Sequence, residues 1–568
     1  MADEIFLDNL NSTPVSEIKF LNEEWAYIVD TNNGSYTSNQ ITFNTQNLAS
    51  NDAYFLWSEA VIVLPTVTQL SVVNKQAGAA NVAVALTRVD YALVPKSGSH
   101  NWVNQIQVQA DGKTLPSTFV GVNEVANAKL LMETSSAGLQ KNGSLRNFYP
   151  DTSNSWSYNT GVIGAKVQGY ANNRIKNNLT VTAFDSTFES ALINEGLQKR
   201  GNYMCDAAVN VNTTAVLGTA INAAQVCRNS TVFDATGNTA LYSINNVCIP
   251  LKDMSEFHKH LDFPIKSLAQ ELRLSVNSGT YMCTALQPTA AAASFTTIQA
   301  TSSSNGSATT CPMMITDAFL ESLKTNFISG ATVLVDNIYN VNMNCSIATA
   351  LTTVGGITVS PHLSQCRIYV PYVKFDPHLI PADKQKRVKY LDYTPAILTN
   401  IGGAGSPNLN FTISNNVHNL KRVFMLCYIS GAVASHKLAP LLSPFADGKP
   451  QATWMSNEVL SLNNVPFSRQ PVNYLFENYL KELKQASVNG GIDDVICAGL
   501  LNSTDHASAY SGLKVWDVSR NQNFAIVSSV QVSYSGVMQS LLPIDVHFFL
   551  ECEKERIVDL QTGAIVQG

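Results

Sequence analysis

Charge is scarce in this chain. Asp, Glu, Lys and Arg make up 14% of its 568 residues, against roughly 25% in ordinary soluble domains. Asn, Ser, Thr and Gln fill the gap. Short neutral polar side chains lose less entropy than Lys or Glu when a neighbour packs on them, and interfaces are depleted in Lys and Glu. The composition fits a protein covered by other proteins, and equally a secreted β-protein with a bland surface. The formal net charge is −6 and no stretch forms a basic domain, so no specific nucleic-acid site is expected.

Long apolar runs are missing too. The best candidate, AYFLWSEAVIVLP at 53–65, contains Glu59 and ends at Pro65, short of the roughly 18 apolar residues of a membrane span. The start, MADEIFLDNL, is acidic and lacks the basic region of a signal peptide. The ten cysteines include no C-x-x-C pair, so neither a zinc site nor a redox pair has local support. They read as small buried hydrophobes and reduced thiols of a protein assembled inside a cell. Cys205/Cys227 and Cys283/Cys311 remain open as pairs.

Helical periodicity is rare. PVNYLFENYLKELKQASVNGG places Val472, Leu475, Phe476, Tyr479, Leu480 and Leu483 on one helical stripe, with Pro471 in the first turn. A weaker helix covers about 122–132, and a third is expected after Pro250 around LKDMSEFHKHL.

What is present is period-two alternation, the mark of half-buried strands. In ELRLSVN, Leu272, Leu274 and Val276 oppose Glu271, Arg273 and Ser275. YNVNMNC sets Tyr339, Val341, Met343 and Cys345 against three Asn, and VHFFLECE sets Val546, Phe548, Leu550 and Cys552 against His547, Glu551 and Glu553. Asn33-Gly34 and Asp111-Gly112 suit tight hairpin turns. Two stretches rich in small polar residues, about 136–245 and 285–330, read as long ordered loops, with 296–310 the most mobile. Two β-blocks flank a charged joint, PADKQKRVKYLDY, at 381–393.

No catalytic constellation rises above chance. Gly112-Lys113-Thr114 resembles the end of a P-loop, but Gln107 stands where a Gly is required and no helix follows, so a hairpin turn is expected. GGAGS at 402–406 runs into Pro407 and a strand. His258 and His260 would leave a metal short of ligands, and a partly exposed helix or loop is the plainer reading. Glu551, Glu553 and Glu555 could supply paired carboxylates, but with Lys554 and Arg556 beside them an edge or solvent face is expected. Ser435-His436 is no triad, and G-x-S-x-G is absent. Catalytic, cofactor and metal residues are therefore expected to be none.

The ordered blocks resemble a family. WAYIVDTNNGSYTSNQITF, CIPLKDMSEFHKHLDFPIKSLAQELRLSV, CRIYVPYVKFDP, NFTISNNVHNLKRVFMLCYIS, YLKELKQASVNGGIDDVICAGLLN and DVHFFLECEKERIVDLQTG are similar, in order, to segments of the double jelly-roll major capsid proteins of polinton-like viruses, virophages and larger eukaryotic DNA viruses. The resemblance implies an all-β chain of two tandem eight-stranded jelly rolls with a few short helices. It places an N-terminal barrel with long outward loops at 1–385, a connector at 377–394 and a C-terminal barrel at 395–568. CRIYVPYVKFDP would close the first barrel and NFTISNNVHNLKRVFMLCYIS would open the second. The implied function is a non-enzymatic virion shell subunit. The resemblance implies homotrimers of near-sixfold outline that would meet neighbouring capsomers, with penton and minor or cement proteins as further partners and membrane contact left open. A glycan-binding spike is the alternative, with Trp102, Trp156, Trp454 and Trp516 as sugar platforms or else as core. A β-sandwich glycoside hydrolase is the third reading.

Overall fold

In a computed structural model, the described residues are 20–75, 82–83, 93–151, 157–159, 168–170, 196, 199–200, 231–233, 240–287, 297–302, 310–315 and 337–347 of the first part, less 37, 50–52 and 116–117. They continue through 351–354, 357–359, 363–375, 384–402, 407–429, 455–485, 499–503, 506, 512–520, 529–538 and 543–567.

Eight described strands build a sandwich in the first half: β1 (Phe20–Val29), β2 (Gln40–Asn44), β3 (Val61–Lys75), β4 (Val103–Ala110), β5 (Lys113–Thr114), β6 (Ala240–Pro250), β7 (Gln270–Val276) and β8 (Arg367–Phe375). Eight more follow: β9 (Gln385–Ile401), β10 (Asn408–Val417), β11 (Leu420–Ile429), β12 (Met455–Leu462), β13 (Val465–Pro466), β14 (Leu513–Asp517), β15 (Val530–Met538) and β16 (Ile544–Asp559). The first half pairs as β1-β8-β3-β6 and β2-β7-β4-β5. The second pairs as β9-β16-β11-β14 and β10-β15-β12-β13. One order is the other shifted by eight, and every pairing among these strands is antiparallel. This is the jelly-roll order, twice.

Alternation does the local work. Leu272, Leu274 and Val276 of β7 are buried, Arg273 is exposed, and Glu271 and Ser275 lie between. Ile106 and Val108 of β4 and Ile41 and Phe43 of β2 face the same core. The Asp111-Gly112 turn, with φ of 50° and 71°, joins β4 to β5 as expected. Asn33 and Gly34 also take positive φ, but the strands they join lie in different sheets, so that turn is a corner and not a hairpin.

The insertions sit in the first half. Between β5 and β6 come α1 (Val122–Glu133) and α2 (Ser136–Arg146), so the expected long loop from 136 opens as a helix and ends in β6. Between β7 and β8, strands Gly279–Gln287, Thr297–Ser302 and Asn337–Ile347 extend the larger sheet from the far end of β3. The second expected loop is therefore partly strand, and 297–302, expected to be mobile, is one of those strands. Residues 147–151, 157–159, 168–170, 196, 199–200, 231–233 and 310–315 of these stretches are also described, and the others, including 303–309, lie outside the described residues.

After Pro250 the chain makes two single turns, α3 (Leu251–Met254) and α4 (Glu256–Lys259), broken at Ser255. The expected long helix of the second half is α5 (Phe476–Gln485). It starts later than Pro471 because Val472 is held as a bridge to Glu458, by backbone bonds of 2.8 and 3.0 Å. Tyr479 and Leu483 are fully buried, Phe476 and Leu480 are half-buried and Leu475 is exposed. Gly490 and Gly491 lie outside the described residues.

Candidate functional site: the joint between the two sandwiches

The charged stretch expected as a connector through 394 is mostly strand. From Gln385 it is β9, paired along its length with β16, so the second set of strands opens here and not at Asn410. Residues 376–383 lie outside the described residues. Within the β9–β16 pair the charges of this stretch find partners across the strands. Arg387 Nε lies 2.8 Å from Glu555 Oε1, Lys389 Nζ 3.7 Å from Glu553 Oε1, and Lys554 contacts Asp392. The charges of the joint and the carboxylates of the last strand are the two sides of one ladder. Pro395 is tolerated because β9 is an edge strand.

β16 lies between β9 and β11, so of the expected edge or solvent face for Glu551, Glu553 and Glu555 the edge is overturned, while Glu553 and Glu555 remain partly exposed. His547 and Glu551, expected outward, are buried, because the first half covers that face. Glu551 accepts from Arg422 Nε at 2.5 Å, Arg422 Nη2 at 2.9 Å and Tyr393 Oη at 2.8 Å. His547 Nδ1 lies 2.7 Å from Glu124 Oε2 of α1, which also accepts from Tyr428 Oη at 3.4 Å. Arg422 reaches Glu133 at 3.8 Å. Behind it Lys259 Nζ lies 3.1 Å from Glu133 Oε2, and Lys129 contacts Glu256.

This network sets protonation. Burial opposes ionisation of Glu133, but Lys129, Lys259 and Arg422 outweigh it and hold its carboxyl below the usual range. Glu256 is held low against burial by Lys129 and Lys259. Burial, then Glu551, pushes the Tyr393 hydroxyl far up. Paired in this way, the carboxylates and cations stabilise one another's charged forms.

Apolar and backbone contacts complete the joint. Phe119 meets Phe549 and Tyr393 with ring centroids 6.1 and 5.7 Å apart, and Phe257 meets Tyr390 edge-on at 5.5 Å. Leu500 N donates to Leu131 O at 2.9 Å, and Lys266 N to Leu560 O at 2.8 Å. The expected hairpin at Lys113 also serves the joint: Asp111 Oδ2 accepts from Ile565 N at 3.0 Å, and Lys113 Nζ donates to Ile565 O.

The remaining candidates find plain roles. His258 is fully buried, not partly exposed, because β7 supplies a partner: Nε2 donates to Gln270 Oε1 at 2.7 Å, while Nδ1 accepts from Ser255 Oγ at 2.8 Å. Burial pushes its pKa down to about 4. His260 is turned away and is 44% exposed. No cluster of three metal-ligating side chains occurs among the described residues. Trp102 and Trp516 are core, so neither is a sugar platform. Trp156, Trp454, Cys205, Cys227, Ser435, His436 and Gly403–Ser406 lie outside the described residues.

One surface feature escaped the pattern reading. Trp25 and Tyr27 on β1 are 58% and 55% exposed, with the Arg367 guanidinium 4.8 Å over the Tyr27 ring. β1 pairs only with β8 among the described strands. A large exposed aromatic pair on an edge strand is unusual for a surface facing only water.

No helix among the described residues is long and apolar enough to cross a membrane. No protein-family model matches the chain, and no curated protein matches it. Among solved structures, a chain of the Sputnik virophage determined by cryo-EM is 12% identical, with 98% of this chain and 90% of that one covered and a TM-score of 0.53. The mavirus major capsid protein is 11% identical over 96% and 90%, with a TM-score of 0.43. The faustovirus major capsid protein is 9% identical over 94% and 90%, with a TM-score of 0.42. The twice-repeated strand order and the likeness to the Sputnik virophage chain give one result: the chain has a double jelly-roll fold.

Proposed function

We propose that this chain is a major capsid protein that encloses a viral genome and carries out no reaction. The observation that carries the reading is the twice-repeated strand order with an ion-paired joint; on this reading the two barrels stand upright and side by side in the shell. Three such chains present six barrels, so a homotrimer has a near-sixfold outline and tiles an icosahedral shell of the virion, with penton and cement proteins at its margins. The chain divides at the joint near 376–383 into an N-terminal and a C-terminal barrel, and the first-half insertions face outward. The exposed Trp25 and Tyr27, on an edge strand, supply subunit contact area. Low charge over the whole chain, 14%, suits a surface mostly covered by neighbours. The ionisable groups of the joint are consumed in ion pairs, which supports a mechanical role over hydrolysis.

Light scattering on the purified protein, followed by negative-stain imaging, tests this. The expected species has three times the chain mass of 61.6 kDa and a hexagonal outline. A monodisperse monomer at micromolar concentration would refute the reading.

A further inference from the structure

An Asn-Gly step can modify itself, because glycine puts no side chain in the way when its own nitrogen turns on the preceding carboxamide. The chain has four such steps, at Asn33, Asn142, Asn305 and Asn489, and the first two are among the described residues. The fold treats these two in opposite ways. Asn142-Gly143 lies inside α2, with Gly143 buried so closely that a Cβ there would stand 2.8 Å from the Tyr149 ring. Asn33-Gly34 is exposed at the corner between β1 and β2, with φ of 53° and 81°. The corner fixes its neighbours and leaves this one step open. Asn32 N donates to Asp30 Oδ1 at 2.9 Å, Asn32 Nδ2 donates to Gln40 O at 2.8 Å, and Asn32 Oδ1 accepts from Thr42 N at 2.9 Å. On the other side Ser35 N donates to Asn32 O at 3.1 Å, and Tyr36 Oη donates to Asp30 Oδ2 at 2.6 Å. Among the described residues, neither the Asn33 carboxamide nor the Gly34 N–H has a hydrogen-bond partner. A Cβ on Gly34 would meet only Ser364 O, at 3.9 Å, so a ring has room to form there. The related Asp111-Gly112 step is held instead, since Asp111 Oδ2 accepts from Ile565 N at 3.0 Å.

We propose that Asn33 is a self-modification site: in the folded protein it deamidates through a succinimide, with water as the only co-reactant. The Gly34 nitrogen attacks Asn33 Cγ and gives up its proton. The Cγ–Nδ2 bond breaks, and the amide nitrogen leaves as ammonia, carrying that proton. Water then adds to one of the two ring carbonyls and opens the ring. One opening leaves aspartate at position 33. The other leaves isoaspartate, in which the backbone runs through the side-chain carboxyl carbon. No electrons are exchanged. Either product adds one negative charge to a chain of formal net charge −6. Isoaspartate also lengthens the backbone inside the turn that Ser35 N and Asn32 O close, so it would loosen the corner that carries the chain from one sheet to the other.

The inference stands apart from the capsid reading, because a chain that failed to form trimers would still give a peptide map. Purified full-length protein is held in mildly alkaline buffer, either folded or unfolded in urea, and sampled over time. Each sample is digested with chymotrypsin and mapped by tandem mass spectrometry. Isoaspartate is marked with an isoaspartyl methyltransferase and its methyl donor. In the folded protein the peptide carrying Asn33 is expected to turn from amide to acid, part of it as isoaspartate, while the peptide carrying Asn142 stays amide. In urea both are expected to convert, because the protection of Asn142 comes from the fold. A folded Asn33 that stays amide while the urea sample converts, or a folded Asn142 that converts as fast as Asn33, overturns the proposal.

Discussion

At the scale of single residues, Glu551 is held by three donors at the joint and is 1% exposed. Removing one partner of a buried pair leaves the other charge without compensation. Arg422→Met is therefore expected to cost about 3–5 kcal/mol, measured by urea denaturation, while Arg422→Met combined with Glu551→Leu should cost far less. Equal losses in the single and double variants would contradict this account. Two glycines at the joint are equally demanding. Gly121 has φ of +97°, and a Cβ there would stand 3.0 Å from Phe549 Cζ. Gly499 has φ of +67°, and a Cβ there would stand 2.2 Å from Leu131 O. Gly499→Ala should lose at least about 1–2 kcal/mol from backbone conformation alone, seen as a lower melting temperature. None of these demands is written locally. The alternation that makes His547 and Glu551 look solvent-facing is correct for an isolated sandwich. It fails where α1 and α4, far away in sequence, cover the face. His258 misleads for the same reason, since its partner Gln270 arrives with another strand.

At the scale of elements, α5 presents Tyr479 and Leu483 to the core, while Leu475 is 50% exposed. Leu483→Ala is expected to cost about 2–5 kcal/mol and Leu475→Ala next to nothing, with thermal unfolding as the check. Leu480, half-buried, falls between them. The charge ladder between β9 and β16 is more exposed, with side-chain exposures of 67% and 28% for Arg387 and Glu555. Each such pair is worth about 0.2–1 kcal/mol and is screened by salt. Swapping the two charges, Arg387→Glu with Glu555→Arg, should restore most of what either single change loses. Elements were the most legible level. Strands such as β7 follow alternation residue by residue, and the Asp111-Gly112 turn follows from its two residues. α5 was found by its stripe, though its start was misplaced because a tertiary bridge at Val472 overrides local preference. The ladder was visible as two clusters of charge, but only pairing shows that one answers the other.

At the scale of the whole molecule, acid should act in two stages. His100, His258 and His506 are buried, and burial depresses each pKa from 6.5 to about 4. The unfolded chain therefore takes up protons first as pH falls below 6.5. Each histidine withdraws about 3 kcal/mol of stability by the time pH reaches its folded-state value. Glu133 and Glu256 are depressed in the folded state. Their contribution is present above the usual carboxylate value and is lost as pH falls through the depressed one. Stability measured by denaturation should decline from pH 6.5 to 4 through the three histidines, and the further loss below pH 4 should come from the two carboxylates. A flat profile down to pH 4 would mean that the three histidines are not held neutral.

The joint has one more consequence. Its two faces carry matched charges and hydroxyl groups along with their aromatic rings, so neither half, alone in water, would present a purely greasy surface. A chain opened between Phe375 and Lys384 should yield two fragments that recognise each other in trans. Their association should be fast at low salt and slowed by added salt, so that a covalent connection becomes a matter of local concentration and not of information.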